Sequence, residues 1–125
     1  MSGKKILIVE DDKDLILGMS IRLKSIGYSV VTAMDGLSVI STARKEHPDL
    51  ILLDIGLPAG DGFIVLERLR TNTMLMAIPV IVISARDKAA NSERSLKAGA
   101  RAYFQKPVDN ETLLRAIKTT LDNPE

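Results

Sequence analysis

The sequence predicts a doubly wound α/β fold in which five parallel strands alternate with five helices. Four short runs are apolar at consecutive positions, and segments with a helical period separate them. The candidate strands open at regular intervals, near residues 5, 28, 50, 79 and 101. Consecutive apolar residues are typical of strands covered on both faces, as in a parallel sheet. Strict alternation with helices then favours one sheet joined by right-handed crossovers.

The first half of the chain contains three candidate strands and two candidate helices. In order they are the strand ILIV at 6–9, a helix with the apolar stripe Leu15, Ile16, Met19, Leu23 and Ile26, the weaker strand YSVVTA at 28–33, a helix with the stripe Leu37, Ile40 and Ala43, and the strand LILL at 50–53. Each stripe can be buried against the sheet. Gly27 can end the first helix in a left-handed conformation, and Pro48 cannot continue the second.

The second half of the chain continues the alternation. In order it contains a turn with Pro58, Gly60 and Gly62, a helix with the stripe Phe63, Leu66 and Leu69, the strand VIVI at 80–83, a helix at about 88–98, the short strand RAYFQ at 101–105, and a helix with the stripe Leu113, Leu114, Ile117 and Leu121. Gly99 can end the fourth helix. Either Asp109 or Asn110 can cap the start of the last helix.

Length and composition favour one domain, residues 1–125, and exclude several kinds of site. The chain has 125 residues, 17 basic and 16 acidic side chains, two tyrosines, two phenylalanines and no tryptophan. With a net charge of +1 and no long basic run, the chain does not have the charge distribution that is typical of nucleic-acid-binding proteins. The absence of cysteine and the single histidine, His47, exclude disulfides and His or Cys metal clusters. No signal-peptide pattern and no apolar run near the ~20 residues of a membrane span are present, so we expect a soluble cytoplasmic protein.

Chemically active residues follow the candidate strands at their carboxyl ends, where ligands bind in open α/β sheets. They are Glu10, Asp11 and Asp12 after the first strand, Asp54 after the third, Ser84 after the fourth and Lys106 after the fifth. Each also has an ordinary role: Asp12 or Asp14 can cap a helix, Ser84 can sit in a turn, and Lys106 can be a solvated surface lysine. Asp54 is harder to explain in this way, because an acid that closes an apolar run needs compensation for desolvation.

The combination of these residues predicts phosphoryl chemistry at a metal site. Carboxylates held close together repel one another unless a cation screens them. Oxygen ligands without histidine favour a hard ion, and Mg²⁺ takes one or two carboxylates together with phosphate oxygens. A lysine and a serine can bind a phosphoryl group, and an aspartate can act as its nucleophilic acceptor. Such a reaction depends mainly on positioning and charge neutralisation.

At these residues the chain resembles the response-regulator receiver domain, the CheY-like module of two-component signalling. The resemblance rests on KILIVEDD, LLDIGLPAGDG, VIVISAR and YFQKP, and it covers essentially the whole chain. It implies a single receiver domain with a flavodoxin-like fold and the strand order 2-1-3-4-5.

The resemblance also implies a role for individual residues around the acidic group. Asp54 is the expected phosphoacceptor. Glu10 and Asp11 form the expected acidic pair, in which Asp11 binds Mg²⁺ directly and Glu10 binds it through water, so that Asp12 falls outside the pair. The main-chain carbonyl of Gly56 is a further expected metal ligand.

Three other positions match family residues on the fourth and fifth strands. Ser84 is expected to bond the phosphoryl group, and Lys106 to stabilise its charge, with a cis peptide bond before Pro107. Tyr103 matches the aromatic switch residue, although without the family a half-buried strand tyrosine would be the ordinary interpretation.

The chain departs from the common family pattern in three places: the acidic pair begins with Glu10, the hydroxyl residue is serine, and Val108 stands where phenylalanine often follows Lys-Pro. None of these changes removes a required group. Gly56 and Arg86 occupy positions at which the family adjusts the lifetime of the aspartyl phosphate.

The resemblance implies a signalling switch that catalyses its own phosphorylation and slow dephosphorylation rather than an enzyme with a separate substrate. The expected phosphodonor is a phosphohistidine of a sensor histidine kinase or a histidine phosphotransfer protein. The face built from the fourth helix, fifth strand and last helix is expected to change its affinity for an output partner, or to form a homodimer. No direct contact with nucleic acid or a membrane is expected.

Two other classes of function remain as alternatives. Aspartate-nucleophile phosphatases of the haloacid dehalogenase type also place Asp at a strand end, but they need a second Asp two residues later as general acid, where this chain has Gly56. A flavin or nucleotide binder needs a first loop rich in glycine, serine or threonine, and this chain has EDDKD. The basic residues around the fourth helix fit a solvated helix face or an acidic partner patch; they are Arg86, Lys88, Arg94, Lys97 and Arg101.

Overall fold

A computed structural model describes residues 3–56 and 62–123. In this part of the chain, strands and helices alternate as β1 (Lys5–Val9), α1 (Lys13–Ser25), β2 (Ser29–Ala33), α2 (Gly36–Glu46), β3 (Leu50–Leu53), α3 (Gly62–Thr71), β4 (Val80–Ser84), α4 (Lys88–Lys97), β5 (Ala102–Gln105) and α5 (Asn110–Asp122). The strands form one parallel sheet in the order β2-β1-β3-β4-β5. The predicted fold class and strand order are confirmed.

The three central strands are buried on both faces, which explains their consecutive apolar residues. Every residue of β3 and β4 is buried, whereas the edge strands β2 and β5 are partly exposed. Alternate strand residues enter two separate clusters. Leu7, Ile51 and Val82 pack with α2 and α3, and their sequence neighbours on the strands pack with α1 and α5 on the other face. The sheet is therefore the middle of three layers.

The helical stripes were predicted well for α3 and α5 and less well for α1 and α2. The predicted stripe of α3 is buried, but Leu37 on α2 is 73% exposed and Ile26 after α1 is 52% exposed. Asp35 caps α2, so the face toward the sheet begins at Gly36 and continues through Val39 and Ala43. Leu37 lies about 100° around the helix from Gly36 and points away from the sheet.

Most predicted helix ends are confirmed. Gly27 and Gly99 have positive φ angles of 100° and 111°, which an L side chain rarely adopts. Asp109 caps α5, with its side chain accepting a hydrogen bond from the Thr112 N–H at 3.0 Å. Gly62 begins α3, whereas Pro58 and Gly60 lie outside the described residues. Within the described ranges, no helix combines the length and apolar character that a membrane span requires.

Candidate functional site

Three carboxylates meet at the carboxyl ends of the two central strands β1 and β3. One oxygen from each of Glu10, Asp11 and Asp54 lies within 4.8 Å of the others. The sheet register produces this arrangement, because Val9 pairs with Leu53 and the Asp54 N–H donates to the Val9 carbonyl at 3.0 Å. The residues that follow two neighbouring parallel strands are thereby brought together.

Asp54 is buried at the end of β3, and both of its carboxylate oxygens have partners. Asp54 is 8% exposed. Its Oδ1 accepts from the Gly56 N–H at 2.8 Å, and its Oδ2 accepts from Lys106 Nζ at 3.0 Å. These two bonds supply the compensation that a charged group at a buried strand end requires.

Lys106 connects two of the carboxylates. Its Nζ lies 2.6 Å from Glu10 Oε1 and 3.0 Å from Asp54 Oδ2. Its N–H donates to the Ser84 carbonyl at 2.8 Å, which fixes the position of the residue beyond β5. Burial alone would lower the pKa of Lys106, but the hydrogen bonds to Glu10 and Asp54 outweigh it and raise the pKa. The ammonium group therefore remains charged at neutral pH. The expected cis peptide bond before Pro107 is present.

Glu10 is the most buried of the three acids, at 3% exposure. Burial raises its pKa, against the opposing effects of Lys106 and of hydrogen bonds from the main chain. Its Oε2 accepts from the N–H groups of Asp11 and Asp12 at 3.1 Å each. Asp12 itself caps α1, as one of the two interpretations predicted, and it does not belong to the acidic group.

The donor set fits a divalent magnesium ion. Three carboxylates and one ammonium group leave an excess of two negative charges, which matches the charge of a divalent cation. All the side-chain donors are oxygens, as hard cations prefer. Asp11 is exposed at the rim, where an ion can keep part of its water shell. Gly56 lies beside the group: a Cβ built there would be 3.4 Å from Asp54 Oδ1 and 3.9 Å from Arg86 Nε.

Ser84 and Tyr103 are both buried, and the main chain of Arg86 connects them. The Arg86 N–H donates to Ser84 Oγ at 3.1 Å, and the Tyr103 hydroxyl donates to the Arg86 carbonyl at 2.8 Å. Tyr103 is 4% exposed, so the half-buried interpretation is wrong. The connection through Arg86 could not be predicted from the sequence, because it uses main-chain groups that every residue possesses.

The protein-family model of the response regulator receiver domain matches residues 6–118 of this chain. The chain belongs to this family. It is 36% identical over 117 residues to protein PilH of Pseudomonas aeruginosa, covering 94% of this chain and 97% of PilH. It is 34% identical to the alkaline phosphatase synthesis transcriptional regulatory protein PhoP of Bacillus subtilis, covering 98% of this chain but only 50% of PhoP. The chain thus spans nearly all of one relative and half of the other.

A solved structure of a receiver domain is also similar to this chain. The receiver domain of sensor histidine kinase PA1611 from Pseudomonas aeruginosa superposes with a TM-score of 0.87 and 29% identity, covering 98% of this chain and 100% of that chain. That structure has a magnesium ion coordinated in the active site cleft. The chain is accordingly a receiver domain of the two-component response regulator type, and the phosphatase and flavin-binding alternatives are set aside.

Proposed function

We propose that Asp54 accepts a phosphoryl group from a phosphohistidine of a sensor histidine kinase or a histidine phosphotransfer protein. The observation that supports this proposal is the hydrogen-bonded group of Asp54, Lys106 and Glu10 at the sheet edge, with Asp11 at its rim. Asp54 is held in a fixed orientation, and the charged Lys106 is in direct contact with it. A cytoplasmic location, where such phosphodonors act, is part of the proposal.

In the proposed reaction, one carboxylate oxygen of Asp54 attacks the phosphorus atom. The bond between phosphorus and the histidine nitrogen breaks, and its electron pair stays on that nitrogen. Lys106 stabilises the negative charge on the transferring group through its ammonium protons. The Ser84 hydroxyl accepts from the Arg86 N–H and keeps its own proton for donation to a phosphoryl oxygen.

Glu10, Asp11 and Asp54 are the side chains proposed to hold Mg²⁺, Asp11 directly and Glu10 through water, with the Gly56 carbonyl as a main-chain ligand. When bound, the ion would neutralise charge on the phosphoryl oxygens and the carboxylates. The same site is proposed to lose its phosphoryl group slowly to water, so the chain acts on itself and not on a separate substrate.

The proposed output is a shift between two conformations of the face formed by α4, β5 and α5. Movement of Ser84 toward a phosphoryl oxygen would act on Arg86, whose carbonyl holds the Tyr103 hydroxyl at 2.8 Å. That face would then change its affinity for an output partner or for a second copy of the chain. Complete switching requires a bias of about 5.5 kcal/mol, and a smaller bias gives partial switching.

Phosphorylation with a small donor tests the assignment of Asp54. The chain is incubated with acetyl phosphate and Mg²⁺, and intact mass spectrometry records whether one phosphoryl group is added. Asp54→Asn, which preserves the size of the side chain, should remain unlabelled. Labelling that persists in Asp54→Asn, or an unlabelled wild type with every small donor and kinase, would disprove the proposal.

A further inference from the structure

The residue after Asp54 touches the first residue of α3 at a point where only glycine fits. A Cβ built on Gly62 would lie 2.6 Å from Ile55 Cβ and 2.7 Å from the Ile55 carbonyl oxygen. The Gly62 N–H also donates to that oxygen at 3.3 Å. Ile55 is completely buried. No flexible side chain separates the two backbones, so a displacement of Ile55 passes directly to the start of α3.

The next residue of α3 carries this contact to α4. Phe63 is buried at 6% exposure, and the guanidinium carbon of Arg94 lies 3.7 Å from the centroid of its ring. This is the geometry of a cation–π interaction. The Arg94–Phe63 contact thus joins the first turn of α3 to the last turn of α4.

Little of α4 is buried, so one contact such as Arg94–Phe63 can contribute measurably to its attachment. Of the ten residues of α4 only Ser95 is buried, and within the described segments its hydroxyl has no hydrogen-bond partner. Polar contacts also hold its two ends: the Lys88 N–H donates to Gln105 Oε1 at 3.0 Å, and Arg70 Nη1 donates to the Lys97 carbonyl at 3.1 Å. A helix held in this way can shift at a small cost in free energy.

We propose that Ile55, Gly62, Phe63 and Arg94 form a second route from Asp54 to α4, separate from Ser84 and Tyr103. The proposal rests on the proposed function of Asp54. Once a carboxylate oxygen of Asp54 is bonded to phosphorus, the hydrogen bonds to Gly56 and Lys106 rearrange. Because Ile55 lies between Asp54 and Gly56 in the chain, this rearrangement displaces Ile55.

The Arg94–Phe63 contact belongs to the arrangement in which the Asp54 carboxylate accepts both hydrogen bonds. Occupancy of Asp54 weakens this contact through Ile55 and Gly62, and α4 is released. Because coupling between two sites is reciprocal, loss of the contact also eases occupancy of Asp54.

The test uses beryllofluoride with Mg²⁺ as a phosphoryl mimic and two measurements on each variant. Hydrogen exchange reports the opening of α4, and titration gives the affinity for beryllofluoride. In Arg94→Met, which keeps an unbranched stem but removes the charged guanidinium group, the α4 amides should exchange about two- to five-fold faster without beryllofluoride. The affinity for beryllofluoride should rise by a similar factor.

Three variants serve as controls. Arg94→Lys retains a cation and should lie between the wild type and Arg94→Met. Lys88→Met removes one charge from the same helix and should leave both measurements unchanged. Phe63→Leu should act in the same direction as Arg94→Met, and adding Arg94→Met to it should have no further effect, because both changes remove one contact.

Two results overturn the second route. One is an Arg94→Met variant with wild-type affinity for beryllofluoride, and the other is α4 exchange unaffected by that change. Failure of the proposed function is distinguishable from failure of the second route alone. In that case the wild type itself would neither bind beryllofluoride nor accept a phosphoryl group from acetyl phosphate, and the second route would be disproved as well.

Discussion

Replacement of Lys106 by methionine should destabilise the domain strongly at neutral pH and less at acidic pH. Lys106 is the cation within 3.0 Å of both Glu10 and Asp54, which are 3% and 8% exposed. Hydrogen bonds to charged groups contribute about 1.5–3 kcal/mol each, and breaking a buried ion pair costs about 3–5 kcal/mol. The Lys106 side chain is itself 21% exposed. We therefore expect a loss of about 3 kcal/mol near pH 7.5, at the lower end of the ion-pair range.

The pH dependence follows from the carboxyl groups that remain. The pKa of Glu10 is already raised by burial, and loss of Lys106 removes the interactions that oppose this shift. Between the ordinary pKa of a glutamate and the raised value, the folded state of the variant binds more protons than the unfolded state, so its stability falls as pH rises. In the wild type, the raised pKa of Lys106 keeps its ammonium group charged throughout the acidic and neutral range, and titration of Lys106 itself lowers the stability only as pH rises through the raised value. The difference between acidic and neutral pH therefore comes from the carboxyl groups.

Urea denaturation at pH 5 and pH 7.5, without added metal ions, measures both effects. The loss of free energy of unfolding in Lys106→Met should be larger at pH 7.5 than at pH 5. Lys97→Met is the matched control, since its partner Glu93 is exposed, and it should change the stability by less than about 1 kcal/mol. A loss in Lys106→Met that is below about 1 kcal/mol, or that does not vary with pH, would show that Lys106 does not stabilise the two buried carboxylates.

Three further predictions concern the core and the metal site. Ser95→Ala removes a buried hydroxyl that has no hydrogen-bond partner in the described part of the chain. Urea denaturation should therefore show a free energy of unfolding that is unchanged or higher by up to about 1 kcal/mol. A decrease of more than about 1 kcal/mol would mean that the hydroxyl has a hydrogen-bond partner. Gly62→Ala forces a Cβ against Ile55 and should cost about 3 kcal/mol by the same measurement, whereas wild-type stability would contradict the contact. Asp11→Asn should weaken Mg²⁺ binding at least about ten-fold by calorimetry with little change in melting temperature, since Asp11 is exposed; unchanged affinity would remove it from the metal site.

The strands and helix ends were predictable because each has a local physical cause. Burial on both faces requires consecutive apolar residues in the central strands. Positive φ angles at Gly27 and Gly99 require residues without a Cβ. The buried face of α2 was not predictable in the same way, because Leu37 and Val39 are both apolar and the position of the cap at Asp35 decides which of them meets the sheet.

The site was predictable to the extent that it follows from topology. Parallel strands bring Glu10, Asp11, Asp54 and Lys106 to one edge whatever the details of packing. The distances between their atoms, and the role of the Arg86 main chain, depend on loop conformations that side-chain identity does not specify. The contact between Gly62 and Ile55 was not predicted for a related reason, because a glycine at the start of a helix is equally typical of the preceding turn.

The charges at the site explain why a phosphoryl acceptor needs both a lysine and a divalent ion. Glu10, Asp11, Asp54 and Lys106 together carry an excess of two negative charges. Conversion of the Asp54 carboxylate to an acyl phosphate adds about one more negative charge at neutral pH. Lys106 is already shared between two carboxylates and cannot neutralise the added charge alone. Removal of Mg²⁺ with a chelator should therefore abolish labelling of Asp54 by acetyl phosphate, and labelling should return when Mg²⁺ is restored; labelling at the full rate in the chelator would show that the side chains suffice.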